Sequence, residues 1–151
     1  MPLTADIQRA IERDYLPSDD DFMLWLLACA ASCLEESDDV EVSIRLVSIA
    51  EMTELNTLYC QKPKPTNVLS FPTDFPEELN IPLLGDIVIC AEVVEQEAIE
   101  QEKLLAAHWA HMTIHGMLHL LGYDHINDSD ANEMETLETN ILLELNYPAP
   151  Y

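Results

Sequence analysis

Positive charge is what this chain has least of. Six Lys plus Arg stand against 29 Asp plus Glu, a formal net charge of -23 at pH 7. Such a field repels nucleic acid at long range, because polyanion affinity normally comes from Lys and Arg displacing counterions. A nucleic-acid substrate therefore needs a local exception. The basic residues are Arg9, Arg13, Arg45, Lys62, Lys64 and Lys103, and the only close pairs are Arg9 with Arg13 and Lys62 with Lys64. The acidity gives solubility; a sharper reading is attraction to divalent cations or to a basic protein partner.

Glycine is nearly absent too, at 3 residues, beside 9 Pro and 48% hydrophobic residues, which excludes collagen-like, low-complexity and disordered chains. Four cysteines without a CxxC pair exclude a disulfide scaffold and a zinc knuckle. We read them as reduced cytosolic thiols, with Cys29 and Cys33, four apart on an apolar stretch, as small buried hydrophobes. The longest apolar run, Phe22 to Ala31, is ten residues, whereas spanning a bilayer takes roughly 20. The opening Met1-Pro2-Leu3-Thr4-Ala5-Asp6 has neither the basic nor the apolar region of a signal peptide. The expectation is a cytoplasmic protein with no membrane partner. At 151 residues and 17.1 kDa, without repeats or linkers, one domain spanning residues 1–151 is expected.

Along the chain, residues 3–11 read two ways: Leu3, Ala5 and Ile7 alternate as a strand, the favoured reading, while the residues that follow suit the start of a helix. Ser18 before Asp19-Asp20-Asp21 supplies an N-cap and an acidic first turn for an apolar helix over Phe22 to Leu34. Val40, Val42, Ile44 and Leu46 alternate with polar residues as a half-buried strand. A short helix follows near Ala50 to Tyr59. Lys62-Pro63-Lys64-Pro65 must be loop, since each proline lacks an N–H and disfavours helix before it. Asn67 to Phe71 reads as a strand stopped by Pro72, Thr73 to Pro82 as a long loop, and Gly85 to Cys90 as a buried strand. Ala91 to Leu121 predicts two helices broken near Glu102 to Leu104. Asp130 and Glu133 suggest a capping box for a last helix whose apolar face is Met134, Leu137, Ile141 and Leu145, ended by Tyr147-Pro148. Strands and helices mix without strict βαβ order, so the class is α+β.

All five histidines fall within residues 108–125, HWAHMTIHGMLHLLGYDH. On a helix, His108, His111, His115 and His119 share a stripe of roughly 80°, so facing alone does not choose ligands. Reach does: a metal about 2.0–2.1 Å from each nitrogen needs helical ligands within one turn, which leaves 111 with 115 or 115 with 119. Gly122, three residues after His119, can end the helix in a left-handed conformation and bring His125 back to close a site with His115 and His119. Three imidazoles leave a fourth position open, the arrangement of a catalytic rather than a structural ion, Zn2+ or another divalent transition metal. His108 and His111 are read as core residues, with contact to a ligand as the minority view. The spacing is that of the metzincins, H-E-x-x-H-x-x-G-x-x-H, except that Gly116 stands in place of the glutamate base. Peptidase chemistry thereby loses its proton acceptor. Asp124 either orients a ligand or moves a proton, or else caps the turn.

The segment His115-Gly116-Met117-Leu118-His119-Leu120-Leu121-Gly122-Tyr123-Asp124-His125 resembles the signature of the YbeY family of bacterial endoribonucleases. Pro65-Thr66-Asn67-Val68-Leu69-Ser70-Phe71-Pro72 and Leu84-Gly85-Asp86-Ile87-Val88-Ile89 extend the likeness in the same order. The resemblance implies a zincin-like fold, a small mixed β-sheet packed with about five helices. It further implies one zinc ion on His115, His119 and His125, and cytoplasmic action on ribosomal RNA of the small subunit, chiefly at the 3′ end, and in ribosome quality control. His115, Asp124 and Lys62 are the candidate catalytic residues.

One departure bears on activity. Family members typically carry Tyr-Arg after the short helix, where this chain has Tyr59-Cys60, and often an acidic residue at the place of Pro63. That arginine would stabilise phosphate charge in the transition state, which a neutral cysteine cannot. Lys62 or Lys64 replaces a planar fork with a point charge. The alternative reading is a weakly active or non-catalytic ribosome-assembly factor that binds basic ribosomal proteins. Cys60→Arg is therefore expected to raise the rate of RNA cleavage under metal-saturated conditions; an unchanged rate contradicts this account of Cys60.

Overall fold

The computed structural model describes residues 3–34, 39–73, 79 and 82–151. Four strands and five helices follow one another as β1 (Leu3–Arg9), α1 (Asp19–Cys33), β2 (Val40–Val47), α2 (Ile49–Cys60), β3 (Val68–Pro72), β4 (Leu83–Cys90), α3 (Ala91–Glu100), α4 (Leu105–Leu120) and α5 (Asp128–Glu144). The strands form one sheet in the order β1-β2-β4-β3. β1 runs parallel to β2 with Leu3 opposite Val40, and β2 parallel to β4. β3 closes the edge antiparallel to β4, with Val68 opposite Ile89. This is the expected mixed sheet in an α+β chain.

Period-2 alternation sorts the side chains onto two faces. Val40, Val42, Ile44 and Leu46 of β2, with Ile87 and Ile89 of β4, join the larger core. The intervening Val88 and Cys90 meet Val47 and Met52 in a smaller one under α2. The β4 segment from Ile87 to Cys90 is thus buried on both sides, as its near-continuous apolar run requires. On the larger face, Phe22 of α1 packs edge-on against Trp25 and against Trp109 of α4, at 5.5 and 6.1 Å between ring centres. Met134, Ile141 and Leu142 of α5 complete that core.

Local signals set most element ends. Ser18 and Asp21 form a reciprocal capping box at the start of α1. Pro72 belongs to β3, where an edge strand can forgo one N–H donor. The expected break within 91–121 lies between α3 and α4, with Glu102 at φ 54°. The capping box expected from Asp130 and Glu133 is corrected: Asn127 is the cap, its side chain accepting the Asp130 N–H at 2.9 Å, so α5 begins one turn earlier. An Asn outside the helix offers the same carbonyl oxygen as an Asp and leaves the acids in the first turn, where the helix dipole favours them. The loop expected over Thr73 to Pro82 lies largely outside the described residues. No helix among the described residues is long and apolar enough to cross a membrane.

α4 packs tightly on the sheet at Gly116. A Cβ built there meets Ile87 Cγ2 at 2.7 Å and Val68 Cγ2 at 3.3 Å, and Ser70 Oγ of the edge strand donates to the Gly116 carbonyl at 2.9 Å. Two opposed effects act on Gly116→Ala: helix propensity favours alanine by about 1 kcal/mol, and forcing a methyl into a packed core costs about 1–3 kcal/mol. Urea unfolding is expected to show Gly116→Ala destabilising in the wild-type background and stabilising when Ile87→Ala has removed the obstructing methyl. The same sign in both backgrounds contradicts the packing account.

Candidate metal centre

Between His108 and Leu120 every residue is buried except His115 and His119. These two, one helical turn apart, present ring nitrogens to a cleft of about 470 Å3 whose walls include Thr66, Asn67, Val68 and Ser70 from the segment through β3. At the end of α4, Gly122 takes φ +99°. Its N–H donates to the His119 carbonyl at 3.1 Å and the Tyr123 N–H to the Leu118 carbonyl at 3.0 Å, the paired bonds of a Schellman turn. A Cβ on Gly122 would meet nothing within 4 Å, so the backbone angle, not space, calls for glycine there. The turn carries His125 back over the cleft, and one ring nitrogen from each of His115, His119 and His125 lies within 4.8 Å of the others.

Hydrogen bonds decide which nitrogens face inward. His119 Nδ1 donates to the Tyr123 carbonyl at 3.1 Å, and His115 Nδ1 donates to the Glu138 carboxylate. Each Nε2 is then left with a lone pair, and the two Nε2 atoms stand 3.1 Å apart. Two lone pairs at that distance repel unless a cation or proton lies between them. In a tetrahedral site with bonds of about 2.0–2.1 Å, ligand nitrogens fall about 3.3–3.4 Å apart. The donor set fits a divalent transition metal. His119 supports that fit, because burial first, and the neighbouring rings of His115 and His125 next, hold its pKa below the usual imidazole value and favour the neutral ligand form.

Glu138 is the residue that the sequence reading missed. It is fully buried on α5 and accepts from His115 Nδ1, from His111 Nε2 at 3.2 Å and from the Tyr151 hydroxyl. Burial pushes its pKa up, but these hydrogen bonds prevail and hold it at about 2. The signal was present in the sequence: Glu138 sits four residues after Met134 and three before Ile141, inside the apolar stripe of the last helix. A carboxylate in such a stripe needs a buried donor.

His111 shares Glu138 with His115, and the two rings stand edge-on with centres 6.3 Å apart. His108 stands apart from the centre: its Nε2 meets Glu97 at 2.9 Å, and Glu97 accepts from Asn67 Nδ2 in the cleft wall. Asp124 Oδ1 accepts the His125 backbone N–H at 2.7 Å and lies 4.0 Å from its ring. Lys62 is exposed in the loop after α2, outside the residues that line the cleft. Cys60 is exposed at the end of α2, beside Tyr59, whose ring packs against Phe71 at 5.1 Å.

Comparison with known proteins bears on the whole arrangement. The solution structure of TM1509 from Thermotoga maritima is similar, with a TM-score of 0.62 and 28% sequence identity over 93% of this chain and 88% of that one. The sequence model described as Endoribonuclease YbeY matches residues 11–146. That span takes in every element from α1 to α5, and with them the zincin-like α+β fold and the histidine turn. By that match the chain belongs to the YbeY endoribonuclease family.

Proposed function

We propose that this chain is a metal-dependent endoribonuclease of ribosomal RNA maturation, acting in the cytoplasm at the 3′ end of the small-subunit RNA and in ribosome quality control. Membership of the endoribonuclease family supports the reaction class. The observation that carries metal dependence is the pair of facing Nε2 atoms of His115 and His119, whose other nitrogens are already committed. In this reading His115, His119 and His125 hold one ion, zinc or another divalent transition metal. A dication held there supplies Lewis-acid polarisation of a phosphoryl oxygen.

The protein's own groups do the rest. Asp124 steadies the turn that presents His125 and, 4.0 Å from that ring, is placed to hold a proton at the cleft's edge. Asn67, braced by Glu97 and by the Val68 N–H, keeps the facing wall rigid. Gly116 argues against a peptidase, since a glutamate there has no room beside Ile87. Substrate charge is met by Lys62 and Lys64. Arg9, Arg13 and Arg45 are each paired with a carboxylate, and Lys103 donates to the Pro150 carbonyl. Among the described residues that leaves these two as the unengaged cations.

Metal analysis of wild type beside His115→Ala, paired with an assay on precursor ribosomal RNA, tests this reading. Wild type is expected to carry one ion; the variant should lose it, and cleavage should fall by about 10²-fold or more, given that such an ion contributes several kcal/mol. Undiminished cleavage by His115→Ala contradicts the proposal. Product ends identify the nucleophile: attack by a 2′-OH leaves a cyclic phosphate and hydrolysis does not.

A second reading, a ribosome-assembly factor without catalysis that binds basic ribosomal proteins, is favoured by the neutral, exposed Cys60 and the charge of -23. Its mark is metal-loaded protein that leaves structured RNA intact yet co-sediments with small subunits in a salt-sensitive way. For RNA binding itself, Lys62→Ala with Lys64→Ala is expected to lower the slope of log affinity against log salt by about 1.4, at about 0.7 per lost phosphate contact on single strands. An arginine substitution should change it less; equal effects from Arg9→Ala would contradict the assignment.

A further inference from the structure

The buried carboxylate of Glu138 does more than fill a gap between α4 and α5. We propose that Glu138 is a positioning residue for metal binding and that the hydroxyl of Tyr151, brought in by the tail after α5, is the clasp that holds it. The inference rests on the reading that His115, His119 and His125 hold an ion.

Three features support it. First, the site is a poor one for a charge: Glu138 is 0% exposed and its helix buries Met134, Ile141 and Leu142 around it. An apolar residue of similar volume would usually serve stability as well or better. Second, its donors come from separate elements and converge on one side chain: His111 and His115 from α4, and Tyr151 from beyond α5. The tail reverses at Asn146, φ 68°, is pinned where Lys103 Nζ donates to the Pro150 carbonyl at 2.8 Å, and lays the Tyr151 ring edge-on against His111 at 5.5 Å. Tyr151 as a residue is 65% exposed, so the bond from its hydroxyl to Glu138, more than buried apolar area, is what this placement commits.

Third, the two helical ligands are braced unequally. His119 donates to a neutral backbone carbonyl, His115 to an anion. A carboxylate behind a ligating imidazole fixes the tautomer and ring angle, and makes the outward lone pair more basic. Among the described residues, Glu138 is the carboxylate that supplies this to the centre from the protein interior. If it served only to satisfy His111 and Tyr151, removing its charge would lower stability and leave metal affinity alone.

The test uses the full chain with Glu138→Gln and, separately, Tyr151→Phe. Zinc affinity is measured by competition with a chromophoric chelator, and the histidine tautomers of the metal-free protein by long-range 1H–15N spectra. Glu138→Gln is expected to weaken zinc binding by about 10- to 100-fold, and His115 should lose its preference for a proton on Nδ1. Tyr151→Phe, which removes one hydrogen bond and leaves the carboxylate in place, should weaken it by about fivefold. Wild-type affinity and tautomer in the folded variants overturn the inference. Should Glu138→Gln fail to fold, Tyr151→Phe decides alone. Wild-type protein that takes up neither zinc nor cobalt overturns the three-histidine reading itself, whereas a zinc-binding wild type with unshifted variants overturns only the role of Glu138.

Discussion

The structure turns on α4, a helix enclosed on almost every side that nevertheless carries four imidazoles. Each ring brings two nitrogens into a medium where an unmatched polar atom costs about 1–3 kcal/mol, and each ring has at least one of them matched. Glu97 answers for His108, Glu138 for His111 and His115, and the Tyr123 carbonyl for His119. Among the described residues, His108 Nδ1 and His111 Nδ1 stay buried without a hydrogen-bond partner, while His115 and His119 each keep one lone pair that reaches the cleft. The packing of α4 against sheet, α1 and α5 thus leaves His115 and His119 as the histidines of this helix that reach the cleft.

Much of this was legible in the sequence, and the reason is that its signals are local. Alternation in β2, the capping box of Ser18 and Asp21, and the break between α3 and α4 depend on residues a few positions apart. So does the turn at Gly122, where a left-handed angle is needed one step past a helix that has just supplied two histidines. Glu138 escaped because its meaning is nonlocal. It lies 23 residues from His115 and 27 from His111, and nothing within its own helix says what it will meet. The start of α5 was misplaced for a related reason: several acids and an Asn in a row each offer a cap, and the choice among them falls to where the helix docks.

Charge matters here by its distribution as well as its amount. A net -23 suggests a surface hostile to RNA, yet the more informative fact is which cations remain unengaged. The arginines are tied to carboxylates on their own chain, and such pairs offer little to a phosphate without first being broken. Lys62 and Lys64 lie in a loop held rigid by its prolines and by Asn56, whose side chain donates to the Lys64 carbonyl at 2.8 Å. The loop leads directly into Thr66 and Asn67 of the cleft wall. Two exposed lysines thus stand on the segment that runs into the cleft wall.

Gly116 and Glu138 together explain how a metzincin-like histidine spacing comes to serve a chemistry other than peptide hydrolysis. Where the metzincin pattern puts a glutamate, this helix carries a glycine pressed against Ile87, so the face toward the sheet is used for packing. The carboxylate nearest these histidines from the interior stands instead on a different helix, behind His115 rather than before the cleft. A carboxylate in the cleft would act as a base, but it would also repel the phosphodiester that an endoribonuclease must admit. Set behind His115, with three donors around it, the same charge is kept away from the cleft.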